Sequence, residues 1–330
     1  MPDEVVDPAE RLERLMAQQA PQFAAGFALL VAQIKSSVDL NDIADLISRG
    51  DLESALTQVL RRAPALGSLY LNSFVAAAQD TAAFLNRSLS QIVVDFDQAN
   101  PFVVRVMQEE RLRMVREFTQ QQREATRQAL ARGVAEGANP IQQARNFRDS
   151  IGLTAKQEAA VAKYRQLLEK GDRAIFDRAL RDKRFDRTIQ AAIRDGKPLT
   201  QTQVERMVQR YRDRYIKYRA EVIARTEALR SVHAGKEAMY QQAIEAGELD
   251  PNNMTEEWNT ARDERVRDSH SAMHGQLIPY GQMFVSGRGN ATRHPGGFGV
   301  ASEDIQCRCA VGTRIVQISV PQGLSVSILS

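Results

Sequence analysis

From Thr200 onward the chain places apolar residues at Val204, Val208, Tyr211, Tyr215, Tyr218 and Val222, at intervals of four, three, four, three and four. Only a helix returns those positions to one face. The repeat is too short for a coiled coil but long enough for one arm of a helix hairpin, so the tyrosines read as core. Thr200 and Gln203 form a capping box ahead of it, the pattern runs through Ile244, and Gly247 is the expected stop.

The same local chemistry recurs upstream. Asn100-Pro101 opens a helix predicted to reach about Glu136, with Val104, Met107, Leu112, Val115 and Phe118 as its stripe and Gly137 as its left-handed end. Asn139-Pro140 caps another that ends near Gly152, and Thr154 with Gln157 is a further capping box. Before residue 100 the pattern reads as short helices. Asp7-Pro8 opens one through Leu12, Leu15 and Met16, and residues 37–51 hold a second with Leu40, Ile43, Leu46 and Ile47. Gly50 and Gly67 are read as terminators, and residues 95–101 as a break. Residues 170–195, dense in alternating charge, read as a solvated helix or connector.

Past Pro251 the helical period fades, Gly, Pro, His and Asn become frequent, and β-like pieces occur at 282–285 and 309–320. A hairpin is expected around Pro321-Gln322-Gly323. The expected fold is mainly α: an elongated helical N-terminal region followed by a small α+β C-terminal domain with short strands. In chain order this gives a helical region at 1–100, a basic helical region at 101–217, a compact α+β unit at 218–316 and a β-like tail at 317–330.

Hydrophobic residues at 43% and charged residues at 26% exclude a fully disordered chain. The longest apolar run, residues 23–32, falls short of the roughly 20 residues of a membrane span. The acidic N-terminus lacks the basic and apolar regions of a signal peptide, so no membrane partner is expected. The net charge of +3 conceals an asymmetry: residues 101–226 carry 28 Lys/Arg against 16 Asp/Glu, whereas residues 1–100 carry 7 against 13. Arg206, Arg210, Arg214 and Lys217 form a basic ridge on the Thr200 helix and are the candidate DNA-binding residues. A solvated surface of Arg–Glu pairs accounts for the same composition.

No Walker-type phosphate loop or G-x-S-x-G elbow occurs, and Ser286-Gly287-Arg288-Gly289 lacks the strand and helix a dinucleotide loop needs. The concentrated signal is residues 258–309, which hold the only Trp, three of the four histidines and both cysteines. His270, His274, His294, Cys307 and Cys309 are five candidates for the four places of a structural zinc site. Alternatively, the histidines bond backbone carbonyls and the cysteines are small buried groups. A disulfide between Cys307 and Cys309 would close a very small strained ring, so reduced thiols or metal thiolates are expected. Asp263, Arg265, Arg267 and Asp268 beside His270 read as a salt-bridged turn that orders a loop, in preference to a hydrolase site. His233, alone in its helix, is a packed or surface residue.

Taken in order, Ile223-Ala-Arg-Thr-Glu227, Trp258, Asp263-x-Arg265-Val-Arg267-x-x-His270, Met273-x-Gly275-Gln276, Phe284, His294-Pro295-Gly296 and Ile305-x-Cys307-Arg308-Cys309 resemble the phage Mu protein F-like head morphogenesis family. The resemblance covers about residues 222–312. Its motif positions are Arg225, Thr226, Glu227, Trp258, Asp263, Arg265, Arg267, His270, Gly275, Phe284, Pro295, Gly296, Cys307, Arg308 and Cys309, and no catalytic residue is carried over. Gln306 departs from an Asn common before Cys-Arg-Cys, and Gly297-Phe298 from an Asp-Pro common after Pro-Gly. What the resemblance implies is a low-copy minor head protein of a tailed bacteriophage, inside the head near the portal vertex and in the host cytoplasm during assembly. Its implied partners are the portal protein, a major capsid or scaffolding protein, and packaged DNA. The stripes at 104–118 and 204–222 are expected to dock on such a partner. The rival reading is a metal-dependent enzyme acting on nucleic acid or cell wall, centred on His270 and the cysteines.

Overall fold

The computed structural model describes residues 3–89 and 92–317. Strand β1 (Asp3–Asp7) leads into helix α1 (Ala9–Ser36). Helices α2 (Leu40–Ser48) and α3 (Leu52–Leu60) follow, each capped by an aspartate, Asp39 and Asp51, whose carboxylate accepts from backbone N–H groups of the first turn. Next come α4 (Ala65–Ser88), α5 (Pro101–Ala135), α6 (Pro140–Ser150) and α7 (Ala155–Lys170). After two 3₁₀ turns, α8 (Asp186–Arg194) precedes the 45-residue α9 (Gln201–Glu245). The rest is β2 (Met254–Asn259), α10 (Asp268–Ser271), β3 (Leu277–Pro279), β4 (Phe284–Val285), β5 (Ala291–Thr292), α11 (Ala301–Asp304) and β6 (Ala310–Gln317). The chain is mainly α with small antiparallel sheets toward its C-terminal end.

The helix boundaries follow the sequence signals closely. Asn100 and Asn139 accept from first-turn N–H groups, and Thr154 with Gln157 bond reciprocally, as do Thr200 and Gln203. Gly137 and Gly247 have positive φ at the helix ends. Gly67 is a correction: it lies inside α4, where the Arg111 side chain occupies the space a Cβ would take. The N-terminal helices are also longer than expected, because α1 and α4 run 28 and 24 residues without a break. Residues 170–195 are a connector of turns plus one short helix. The hairpin expected at residues 321–323 lies outside the described residues.

The chain divides into two units. The first combines Met1–Ala20, Leu71–Met107 and Arg225–Ser330. Its four-stranded sheet has the order β1-β6-β2-β3, antiparallel throughout, and β4-β5 is a separate hairpin. The α+β unit read at 218–316 is therefore not closed on itself. Its long strand β6 pairs along one edge with β1 from the opposite end of the sequence. One core gathers Ala78, Ala82 and Leu85 of α4 with Met239, Tyr240 and Ala243 of α9 and Ile315 of β6. A second surrounds Trp258. Gly235 lets α9 approach α4 closely: a Cβ there would stand 2.2 Å from the Phe74 carbonyl oxygen and 3.0 Å from Ala77 Cβ. Gly235→Ala is expected to destabilise by about 1–3 kcal/mol through overpacking, despite alanine's better helix propensity, which urea unfolding would measure.

The second unit is Pro21–Tyr70 with Gln108–Ala224. Val204, Met207, Val208 and Tyr211 of α9 are buried against Val161, Tyr164 and Leu167 of α7, with Tyr164 and Tyr211 stacked at 4.1 Å. Farther along, Tyr218 is exposed. The stripe on α5 also differs from the expected one, since Met114, Phe118, Ala125 and Ala129 are buried while Leu112 is 65% exposed. Of the apolar positions expected to dock on a partner, Phe118, Val204, Val208 and Tyr211 are buried within the chain, while Leu112 and Tyr218 are exposed. No single helix among the described residues is long and apolar enough to cross a membrane. The bent pair α1–α2 reaches that apolar content together, but Phe27, Val31, Ile34 and Ile43 are core.

Candidate functional site

The loops between β2 and β6 are ordered by charged side chains that bind backbone as often as each other. Asp263 pairs with both terminal nitrogens of Arg308, and that hydrogen bonding lowers the Asp263 carboxyl to about 2. Arg267 donates to the carbonyl of Ile305. Arg265, largely exposed, lies 3.8 Å from Asp263. From α9, Thr226 Oγ accepts from the Gln306 N–H at 3.1 Å, and Arg230 reaches the Gly296 carbonyl and, at 3.2 Å, Asp304. Glu227 is buried and Arg225 exposed on the same helix. Gln306 has φ +57°, in the left-handed region where asparagine is the easiest non-glycine residue.

Trp258 alternates inward on β2 and meets Phe284 at 5.2 Å and Phe298 at 5.9 Å, with Met273, Ile278 and Val311 around them. Gly275 and Gly296 both have positive φ, and a Cβ on Gly296 would abut the Arg230 backbone. Pro295 is buried beside it.

Three of the five ligand candidates converge. His270 on α10 has Nδ1 3.5 Å from Sγ of Cys307 and 3.5 Å from Sγ of Cys309, and the three side chains are only 1–2% exposed. Both cysteines are free. Arg308 between them turns the other way, to Asp263, which is how an extended C-x-C segment brings both sulfurs to one side. The hydrogen bond between the thiols pulls Cys307 down to about 5, helped by His270 and opposed by burial. That same bond, with burial, drives Cys309 up. His274 and His294 do not join. His274 Nδ1 accepts from the Thr260 N–H at 3.1 Å, and His294 stacks on His233 at 5.6 Å. Burial first, then His294 and Lys236, holds buried His233 well below the usual histidine range.

Sequence reasoning missed Glu303. It is fully buried, with Oε2 3.0 Å from His270 Nε2, and it accepts from Ser269, Ser286 and Asn290. Burial raises its carboxyl, but those hydrogen bonds and His270 outweigh it and leave the value lowered. An acid in a four-residue helix carries no local signal of this role, which arises only when α11 folds against α10.

Glu256 of β2 is buried opposite Glu237, with Lys236 and Arg293 nearby. Burial, then the Glu237 charge, pushes its carboxyl up to about 7 from 4.5. A carboxyl raised by folding contributes stability below its unfolded value and loses it as pH rises through the folded one. Glu256→Gln should therefore gain on the wild type by roughly 3 kcal/mol between pH 4.5 and 7.5 in urea midpoints. Parallel curves would remove the assignment.

The four basic candidates Arg206, Arg210, Arg214 and Lys217 are exposed along α9 in the second unit. Each has a neighbour of its own: the Phe185 ring, Asp213 at 4.0 Å, Asp182 at 3.3 Å and Glu221 at 4.0 Å.

Known proteins share part of this chain. Minor head protein GP7 of Bacillus phage SPP1 is 34% identical over 93 residues, 28% of this chain and 29% of that protein. The NAD(+)--arginine ADP-ribosyltransferase EFV of Enterococcus faecalis (strain ATCC 700802 / V583) is 36% identical over 87 residues, 26% of this chain and 17% of that protein. The chain thus spans less than a third of either relative. No solved structure matches it. The family model described as Phage Mu protein F like protein matches residues 183–312, a stretch that begins ahead of the motif block and contains the whole His270–Cys307–Cys309 cluster. Over residues 183–312, this chain is therefore similar to the phage Mu protein F-like family.

Proposed function

We propose that this chain is a minor head protein of a tailed bacteriophage, a structural part of the head and not an enzyme. The observation that carries the reading is the similarity to minor head protein GP7. The site geometry agrees with it. Asp263, Arg267, Arg308, Thr226 and Arg230 are engaged with loop backbone or with one another, and the Cys/His cluster is closed to solvent. Transferase chemistry is not carried over from EFV, of which the match covers 17%. In this reading the protein enters the head in few copies beside the portal during assembly in the host cytoplasm and lies in the head interior. The test is co-production with the capsid, scaffolding and portal proteins of the phage that encodes it, followed by sedimentation. The chain should travel with portal-containing particles and be lost from particles made without portal. A chain that remains at the top of the gradient in both would overturn the reading.

Contact with packaged DNA belongs to the same proposal, through the ridge Arg206, Arg210, Arg214 and Lys217. Because each already has an intramolecular neighbour, the affinity is weak and indifferent to sequence, on the order of 10⁻⁴–10⁻⁶ M at physiological salt. Binding should fall steeply with added salt, and replacing all four residues by Gln should flatten the log–log slope by about 0.9 per lost phosphate contact. A slope unchanged by that variant would place any DNA contact elsewhere.

A further inference from the structure

We propose that His270 Nδ1, Cys307 Sγ and Cys309 Sγ hold one zinc ion, with Glu303 as the carboxylate that orients the histidine. The three atoms lie within 4.8 Å of one another, and the nitrogen is 3.5 Å from each sulfur. With zinc–sulfur and zinc–nitrogen bonds of about 2.3 and 2.0–2.1 Å, a tetrahedral ion keeps its nitrogen and sulfur ligands about 3.6 Å apart. Both nitrogen–sulfur distances are therefore already at ligand spacing.

The far side of the imidazole supports the same assignment. Glu303, fully buried, faces His270 Nε2 at 3.0 Å and is itself fixed by Ser269, Ser286 and Asn290. The contact is one of charge at 3.0 Å and not an aligned hydrogen bond; the carboxylate's field favours the ring proton on Nε2 and leaves the Nδ1 lone pair toward the sulfurs, the order of groups in a carboxylate–histidine–metal arrangement. A nucleophilic Cys–His–Glu triad would share this order of groups, but it requires a sulfur that substrate can reach, and both cysteines are 2% exposed. Without an ion, two sulfurs compete for one nitrogen lone pair inside a shell of Trp258, Phe284, Phe298 and Met273. Two thiolates and a neutral imidazole bring the charge of a divalent ion to zero, which suits that apolar shell. Thiolate and imidazole donors select zinc over magnesium or calcium.

Among the described residues no fourth His, Cys, Asp or Glu joins the group, so the fourth position is left to a non-protein ligand. The ion ties α10 to the segment entering β6 across more than thirty residues of loop, where regular structure is sparse.

The test uses the full chain purified without chelator. Elemental analysis should find about one zinc per chain. Exchange into cobalt should give a thiolate-to-cobalt charge-transfer band in the near ultraviolet, lost in Cys307→Ser and Cys309→Ser and kept in His274→Ala and His294→Ala. Glu303→Gln leaves all three ligands in place and should weaken metal affinity by about 10–100-fold. A folded wild-type chain that holds far less than one metal and shows no such band with added cobalt would overturn the proposal, whether or not the cysteine variants fold. Full metal content in both cysteine variants would overturn it as well.

Discussion

Replacing Asp7 by alanine is expected to cost about 3–5 kcal/mol, the range seen when one partner of a buried ion pair is removed. Asp7 closes β1 and is fully buried. Both its oxygens accept from Arg11, at 2.7 and 2.8 Å, Tyr240 OH donates to it at 2.8 Å, and Lys236 Nζ lies 3.6 Å away. Lys236 also donates to the Val311 carbonyl of β6, so the network joins the first strand, α9 and the central strand. Truncation leaves Lys236 and much of Arg11 buried without their anion. Burial raises the Asp7 carboxyl, but Lys236 and Arg11 outweigh it and the value is lowered. Its contribution is thus present above the ordinary carboxylate value of 3.8 and is lost as pH falls through the lowered one. Fluorescence of the single tryptophan, which lies in the same unit, would report the unfolding midpoint in urea. Asp80, the more exposed partner of Arg11, is the control: Asp80→Ala should cost about 1 kcal/mol or less. A loss that small for Asp7→Ala would mean that β1 is not anchored by this network. The same network bears on dissection, since a fragment 218–330 lacks β1 and is expected not to fold stably.

Trp258→Ala is the second large effect, at about 3–5 kcal/mol. Trp258 is the largest of the fully buried side chains and stands across from Val311 in the β2–β6 register. Phe284, Phe298 and His270 meet its ring at 5.2, 5.9 and 5.8 Å. Those partners come from loops and short elements, which have little regular structure to keep them in place once the ring is gone. Partial collapse is the only relief for the cavity, and it would displace His270 from the cysteines. Circular dichroism during heating would measure the loss, with Leu277→Ala, on the exposed face of β3, expected to stay within about 0.5 kcal/mol of the wild type. If Trp258→Ala behaved like Leu277→Ala, the cluster around it would not be the core that orders this region.

Helix starts and stops were legible in the sequence because they are decided within a few residues. Thr154 and Gln157, Thr200 and Gln203, Asn100 and Asn139 satisfy backbone groups one turn away, and Gly137 and Gly247 need only their own φ. The family block was legible for a similar reason, since its residue types and order are themselves the signal. The sequence also limited the metal candidates to five side chains. Which three meet was decided by contacts 37 and 39 residues apart, and Glu303 became the orienting carboxylate only through a contact of the same kind. The N-terminal strand was invisible locally, because DEVVD pairs with β6 and bonds to Tyr240 across 233 residues, and nothing near Asp7 announces either partner. Likewise, the spacing of Val204, Val208 and Tyr211 specified a helix with one apolar face, while only α7 packed against it decided that this face is core. Hydrogen bonds that close within one turn are written in adjacent residues. Burial is set by whichever distant segment arrives, and that is a property of the folded chain alone.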